Sequence, residues 1–407
     1  MHDRLLERRR LLKSALAGVG TTTFAPLLAP SIFSTIAQAA AAPRDDRILV
    51  VLELSGGNDG LNTVVPYADD HYYRHRPTIG LRPDQVRRID DHYGFNPGMT
   101  GFEKLWKDGR LAIVHGCGYD NPSFSHFTSM AYWHTAAPNS GDDYGWFGRV
   151  ADTMAPQAQP NYLVNVDTAQ SLAVKSRVHT PVVFDDPDKF RRNALLQERS
   201  ILDAEDRAAA TAGNRRFLED VARSARESSE LVRTAWDSYR TPVDYGINPL
   251  GLNKVAACIA AGLPTRLYYT AYRNNAFDTH VQQNDLHRRL LTYTSDAVLG
   301  FLRDMERLGQ ADRVTVMAFS EFGRRVPENT SLGTDHGTAN VMFFAGRHVR
   351  GGHYGKAPDL GALDAGDNFV HTTDFRRVYA TAIDGWLKLD AAPRILKGNH
   401  EPFPVFG

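Results

Sequence analysis

Arg47-Ile48-Leu49-Val50-Val51-Leu52-Glu53-Leu54 runs directly into Ser55-Gly56-Gly57-Asn58-Asp59-Gly60. An apolar run of this length with no polar alternation predicts a buried strand, and the glycine-rich turn ends it. Further strands are expected at 111–115, 161–166, 266–272, 313–319 and 340–345, each richer in large apolar residues than its flanks. Helices are expected between them, at about 102–107, 123–134, 281–308 and 375–387. Strands alternating with helices predict an α/β fold, a doubly wound and mostly parallel sheet covered on both faces. From about 188 to 240 the chain is charged, rich in Ala and Leu and almost free of Gly and Pro, which predicts long helices and a candidate insertion.

Lysine plus arginine and aspartate plus glutamate each number 47. That balance argues against a general nucleic-acid binder or a binder of anionic membrane surfaces. The two cysteines, Cys117 and Cys258, read as buried thiols, because a core of this size does not need a disulfide.

The first residues carry Arg4, Arg8, Arg9, Arg10 and Lys13, with Leu11-Leu12 between the arginines and the lysine. A weakly apolar stretch follows, and Ala37-Gln38-Ala39 supplies a small-residue cleavage site. This order predicts a twin-arginine export signal over residues 1–39, read by the twin-arginine translocase, with one α/β domain over 40–407. Pro26 and Pro30 break the apolar stretch, so it does not predict a membrane span, and no transmembrane segment is expected in the mature chain. The expected location is the periplasm or the cell surface.

In parallel sheets, ligands bind where strands end at their carboxyl edge. The polar clusters of this chain fall at such places. Asp59 follows the first strand in a turn whose glycines let the backbone approach a ligand, although Asn-Asp-Gly also serves a plain turn. Asn121-Pro122-Ser123-Phe124-Ser125-His126 opens a helix, where a hydroxyl meets the positive end of the dipole or simply caps it. Asp278-Thr279-His280 places a carboxylate and an imidazole on one side of an extended chain, or else caps the long helix beyond. Glu321 and Arg324 follow another strand; they suit an acid–base or orienting group and an anion clamp, or a structural ion pair. Asp335-His336 sits in a glycine-flanked loop and offers oxygen and nitrogen to a metal ion.

Taken in order, Leu54-Ser55-Gly56-Gly57-Asn58-Asp59-Gly60-Leu61-Asn62, Ser125-His126-Phe127, Phe277-Asp278-Thr279-His280, Ser320-Glu321-Phe322-Gly323-Arg324, Gly333-Thr334-Asp335-His336-Gly337 and Thr373-Asp374-Phe375-Arg376 resemble one family. It is a large bacterial family of exported proteins, named only as a domain of unknown function and placed in the alkaline phosphatase and sulfatase-like superfamily. The resemblance runs from about Arg47 to the last helix. It implies one or two divalent metal ions, with zinc, manganese and calcium as the candidates, held by Asp59, Asp278, His280, Asp335 and His336. It implies Ser125 as nucleophile, with Ser123 behind it, and His126 or Arg324 against an anionic group. The pattern departs from the superfamily in three ways. The usual Asp-x-x-x-His spacing is Asp278-x-His280 here, no Cys-x-Pro-x-Arg motif is present, and the last metal histidine has only His353 and His371 as counterparts. The expected activity is hydrolysis of phosphate or sulfate esters on an anionic small-molecule or glycan substrate. The rival expectation is a non-catalytic exported protein that binds a surface glycan or a partner protein.

Overall fold

A computed structural model describes residues 46–190 and 226–407. The expected export signal over 1–39 and residues 191–225 of the expected helical segment lie outside them; residues 226–238 are helical. Asp46–Gly407 forms one compact unit.

Its centre is a nine-stranded sheet. In chain order the strands are β1 (Ile48–Glu53), β2 (Leu111–Gly118), β3 (Leu163–Val166), β4 (Val182–Val183), β5 (Leu267–Ala271), β6 (Val314–Phe319), β7 (Asn340–Gly346), β8 (Gly352–Tyr354) and β9 (Thr373–Asp374). Their spatial order is β8-β2-β7-β6-β1-β5-β3-β4, with β9 also on β2. β1 lies at the middle, parallel to both neighbours, with Leu49 beside Leu267 and Thr315. Only β7 runs antiparallel, between β2 and β6. The sheet is thus mostly parallel, as the alternation of elements predicts.

Alternate residues of β1 enter opposite cores, the consequence of a two-residue side-chain period. Ile48, Val50 and Leu52 pack with Phe102 and Leu105 of α1 (Thr100–Lys107), Val255 of α4 (Leu252–Ala260) and Leu291 of α5 (Gln283–Arg307). Leu49 and Val51 pack on the other side. There they meet Trp133 of α2 (His126–Thr135), Phe147 of α3 (Trp146–Met154) and Tyr379 of α6 (Phe375–Ala380). After α6 the chain continues as a π-helical turn at Thr381–Trp386. Cys117 and Cys258 are buried free thiols. Among the described residues no helix is long and apolar enough to cross a membrane.

Candidate metal centre

The loops after β1, β5 and β6 converge at the carboxyl edge, and two glycines let them do so. Gly56 has φ +118°, and a Cβ there would come within 2.5 Å of the Asp278 nitrogen. Gly57 has φ +75° and lies under the Phe322 ring. The strand at Gly323–Arg324 pairs with His336–Gly337, so that Arg324 lies beside His336.

His126, Asp278 and His336 each turn one ligand atom to a common point, the three lying within 4.8 Å of one another. Asp278 Oδ1 sits 3.1 Å from His336 Nε2, 2.9 Å from His280 Nε2 and 2.7 Å from Arg324 Nη2. Its other oxygen is 3.3 Å from His126 Nε2. The Nε2 atoms of His280 and His336 are 3.0 Å apart, so only one of them can carry a proton toward the other. Asp335 closes the group, its Oδ1 3.2 Å from His280 Nδ1 and from Asn329 Nδ2.

Outer contacts fix each ring. His126 Nδ1 donates to Glu321 Oε1 at 2.8 Å, the same oxygen that takes the Gly56 N–H at 2.8 Å. His336 Nδ1 donates to the Phe124 carbonyl at 2.7 Å. An imidazole bonded through Nδ1 to a carboxylate or carbonyl turns Nε2 inward as a lone pair, the arrangement of metal-binding histidines. His126 Nε2 is in fact buried and makes no hydrogen bond. That orphaned nitrogen, with an opposing carboxylate and a second imidazole, fits a borderline divalent cation.

Electrostatics follow from these contacts. Burial raises the Asp278 carboxyl, but hydrogen bonding and charge from Arg324 outweigh it and bring the pKa to about 2. Burial pushes the His336 imidazole down, against its bonds to Phe124 and Asp278. Burial also acts downward on His126, yet the bond to Glu321 overcomes it and leaves the ring raised.

Of the sequence-predicted residues, His126, Asp278, His280, Glu321, Arg324, Asp335 and His336 are brought together. Asp59 stands apart from them. Its carboxylate receives Arg76 Nη1 and Gln283 Nε2, each at 2.6 Å, and also caps the short helix at Gly60–Thr63. Arg324 is not an open anion clamp: its buried guanidinium donates to the carbonyls of Gly56, Gly57, Phe277 and Thr334 and to Asp278. It ties three loops together. Ser125 is the exposed N-cap of α2. Neither Asp278 nor Thr279 caps α5; Gln282 stands at the N-cap position with no side-chain cap bond, and the Thr279 hydroxyl instead meets the Gln283 side chain. His353 pairs with Asp90 and His115, and His371 lies 3.8 Å from Asp120, so both belong to other contacts.

Arg76, Gln283 and His287 were not singled out by the sequence. His287 is buried, with Nε2 2.9 Å from Asn58 Oδ1, and burial brings it to about 4 despite the Asp59 charge. Gln283 and His287 are four apart on the inner face of α5, the one pattern that could have flagged them. Arg76 follows a short helix and carries no such signal.

These features define an α/β protein with a histidine–carboxylate cluster at the carboxyl edge of its sheet. Residues 46–384 match the family described as "Protein of unknown function (DUF1501)", and the chain belongs to that family. No curated protein matches it. Among solved structures it is similar to the C-terminal periplasmic domain of EcEptC from Escherichia coli in complex with Zn. There identity is 9%, coverage 74% of this chain and 73% of that one, and the TM-score 0.35. It is also similar to a protein in the alkaline phosphatase superfamily from Vibrio parahaemolyticus, at 9% identity, coverage 76% and 62%, and TM-score 0.35. A third is the PsFucS1 sulfatase from Pseudoalteromonas sp., at 10% identity, coverage 91% and 73%, and TM-score 0.37.

Proposed function

We propose that this protein is an exported, metal-dependent hydrolase of phosphate or sulfate esters. One observation carries the reading: His126, Asp278 and His336 present ligand atoms to one point, and buried His126 Nε2 has no hydrogen bond. In this reading those three residues hold a divalent ion, with His280 and Asp335 beside them. A cation bound there would polarise a phosphoryl or sulfuryl oxygen and offset charge that builds as the ester bond breaks. Ser125 is the nucleophile, exposed at the positive end of α2. Glu321 orients His126, and Arg324 fixes Asp278; both are positioning residues.

The Asp59–Arg76 pair favours a second reading. With Asp59 engaged by Arg76, the fold keeps at most a reduced site and binds a surface glycan or partner protein without turnover. The test separates the two. Metal content and hydrolysis of aryl phosphate, phosphodiester and aryl sulfate substrates are measured with and without zinc, manganese and calcium. The hydrolase reading expects about one metal per chain and turnover that Asp278→Asn abolishes. Unchanged metal content in Asp278→Asn removes the site, and bound metal without turnover across the panel favours the binding protein.

A further inference from the structure

A cavity of about 280 Å³ opens beside the cluster. His126 and Glu321 belong to its wall, so it is continuous with the centre described above. Along α2 it is lined by His126, Met130, Ala131 and His134, the i, i+4, i+5 and i+8 positions of one helix face. Phe127 and Leu172 add apolar surface, and Ser55 and Asn275, whose side chains bond to each other, complete the wall.

The far end is polar and fixed. His134 Nε2 donates to Glu53 Oε2 at 2.7 Å, and the Tyr269 hydroxyl bonds to the same oxygen. Glu53 is the last residue of β1, so this dyad is anchored on the central strand.

Exposed apolar side chains also lie on the segments around the site. Seven large apolar side chains are exposed among the described residues: Phe124, Phe127, Ile247, Val281, Leu286, Leu332 and Val370. Four of them, Phe124, Phe127, Val281 and Leu332, belong to the segments that build the site. Phe127 is 89% exposed even though it lines the cavity.

Resting on the hydrolase reading, we infer that this cavity seats the organic group of the ester, and that this group is a compact apolar ring of single-ring size. The anion then lies at the cluster, the ring between Met130, Ala131 and Leu172, and a hydroxyl on the ring's far side reaches His134. A bulky polar sugar chain would leave the apolar walls unmatched.

The test is calorimetric titration of the full chain, loaded with zinc, with phenylphosphonate and methylphosphonate, which share the anion and differ in the ring. Phenylphosphonate should bind roughly tenfold more tightly or better, as expected for burying one ring. Ala131→Leu, which narrows the cavity, and Leu172→Ser, which removes a wall, should each bring the ratio toward one. Equal binding of the two probes by the unmodified protein overturns the inference and leaves the hydrolase reading standing. A ratio unmoved in both folded variants also overturns it, because the ring then sits elsewhere. Failure of both probes to bind removes the anion site itself and takes the inference with it.

Discussion

Asp59 and Asp278 are both aspartates in loops at the carboxyl edge, and their surroundings give them different work. Asp59 meets a buried guanidinium, a side-chain amide and a backbone N–H, which satisfy both oxygens. Asp278 meets three imidazoles and the edge of Arg324, and it stays partly open. Breaking a buried pair by neutralising one member leaves an uncompensated charge. Asp59→Asn should therefore lower unfolding free energy by about 3 kcal/mol in urea titration, with metal content retained. Loss of metal in a folded Asp59→Asn protein would make Asp59 a ligand after all. Gly56 gives a second residue-scale outcome. An alanine there meets an unfavourable φ and presses on the Asp278 nitrogen. Gly56→Ala should cost at least about 1 kcal/mol and weaken metal binding together with stability, although residue 56 offers no ligand.

At the scale of elements, β2 and β8 hold a pair of histidines inside the sheet edge. His115 Nε2 lies 2.7 Å from His353 Nδ1, whose other nitrogen meets Asp90 at 2.8 Å. Tyr93 and Trp106 pack against His353. Burial, helped by the neighbouring His353, brings His115 from its ordinary 6.5 to about 3. The folded state thus refuses a proton that the unfolded chain accepts. Its contribution is complete above pH 6.5 and is lost as pH falls toward 3, at up to about 1.4 kcal/mol per pH unit. Unfolding followed by circular dichroism should show this acid limb, and His115→Phe should flatten it; an unchanged limb assigns the acid sensitivity to other groups. The strands of the sheet core were legible because their burial on both faces makes them continuous apolar runs. Helix α3 was not anticipated, since Gly148 blurs its period. The two- and three-residue strands at 182–183, 352–354 and 373–374 are too short to carry any pattern.

For the whole molecule, the clusters in the sequence share one edge because topology sends β1, β5 and β6 the same way. Partnership within that edge was less legible. Asp59 lies close in the chain to Gly56, yet the guanidinium of Arg76, just beyond the helix Asp70–His75, claims it. The proposed location has its own test. Changing Arg8 and Arg9 to lysine should hold the precursor in the cytoplasm, read by fractionation, and normal export of that variant would remove the twin-arginine assignment. Strand β2 has a further consequence. All its partners, β7, β8 and β9, come from residues 340 onward, with Cys117 beside Asn340. A ribosome that has made residues 111–118 must therefore synthesise residues 119–339 before that strand finds a neighbour. Until then its backbone groups stay unpaired, and such high contact order slows closure. That edge of the sheet therefore closes only once residues 340–374 are available, and a chain lacking them leaves β2 without its strand partners.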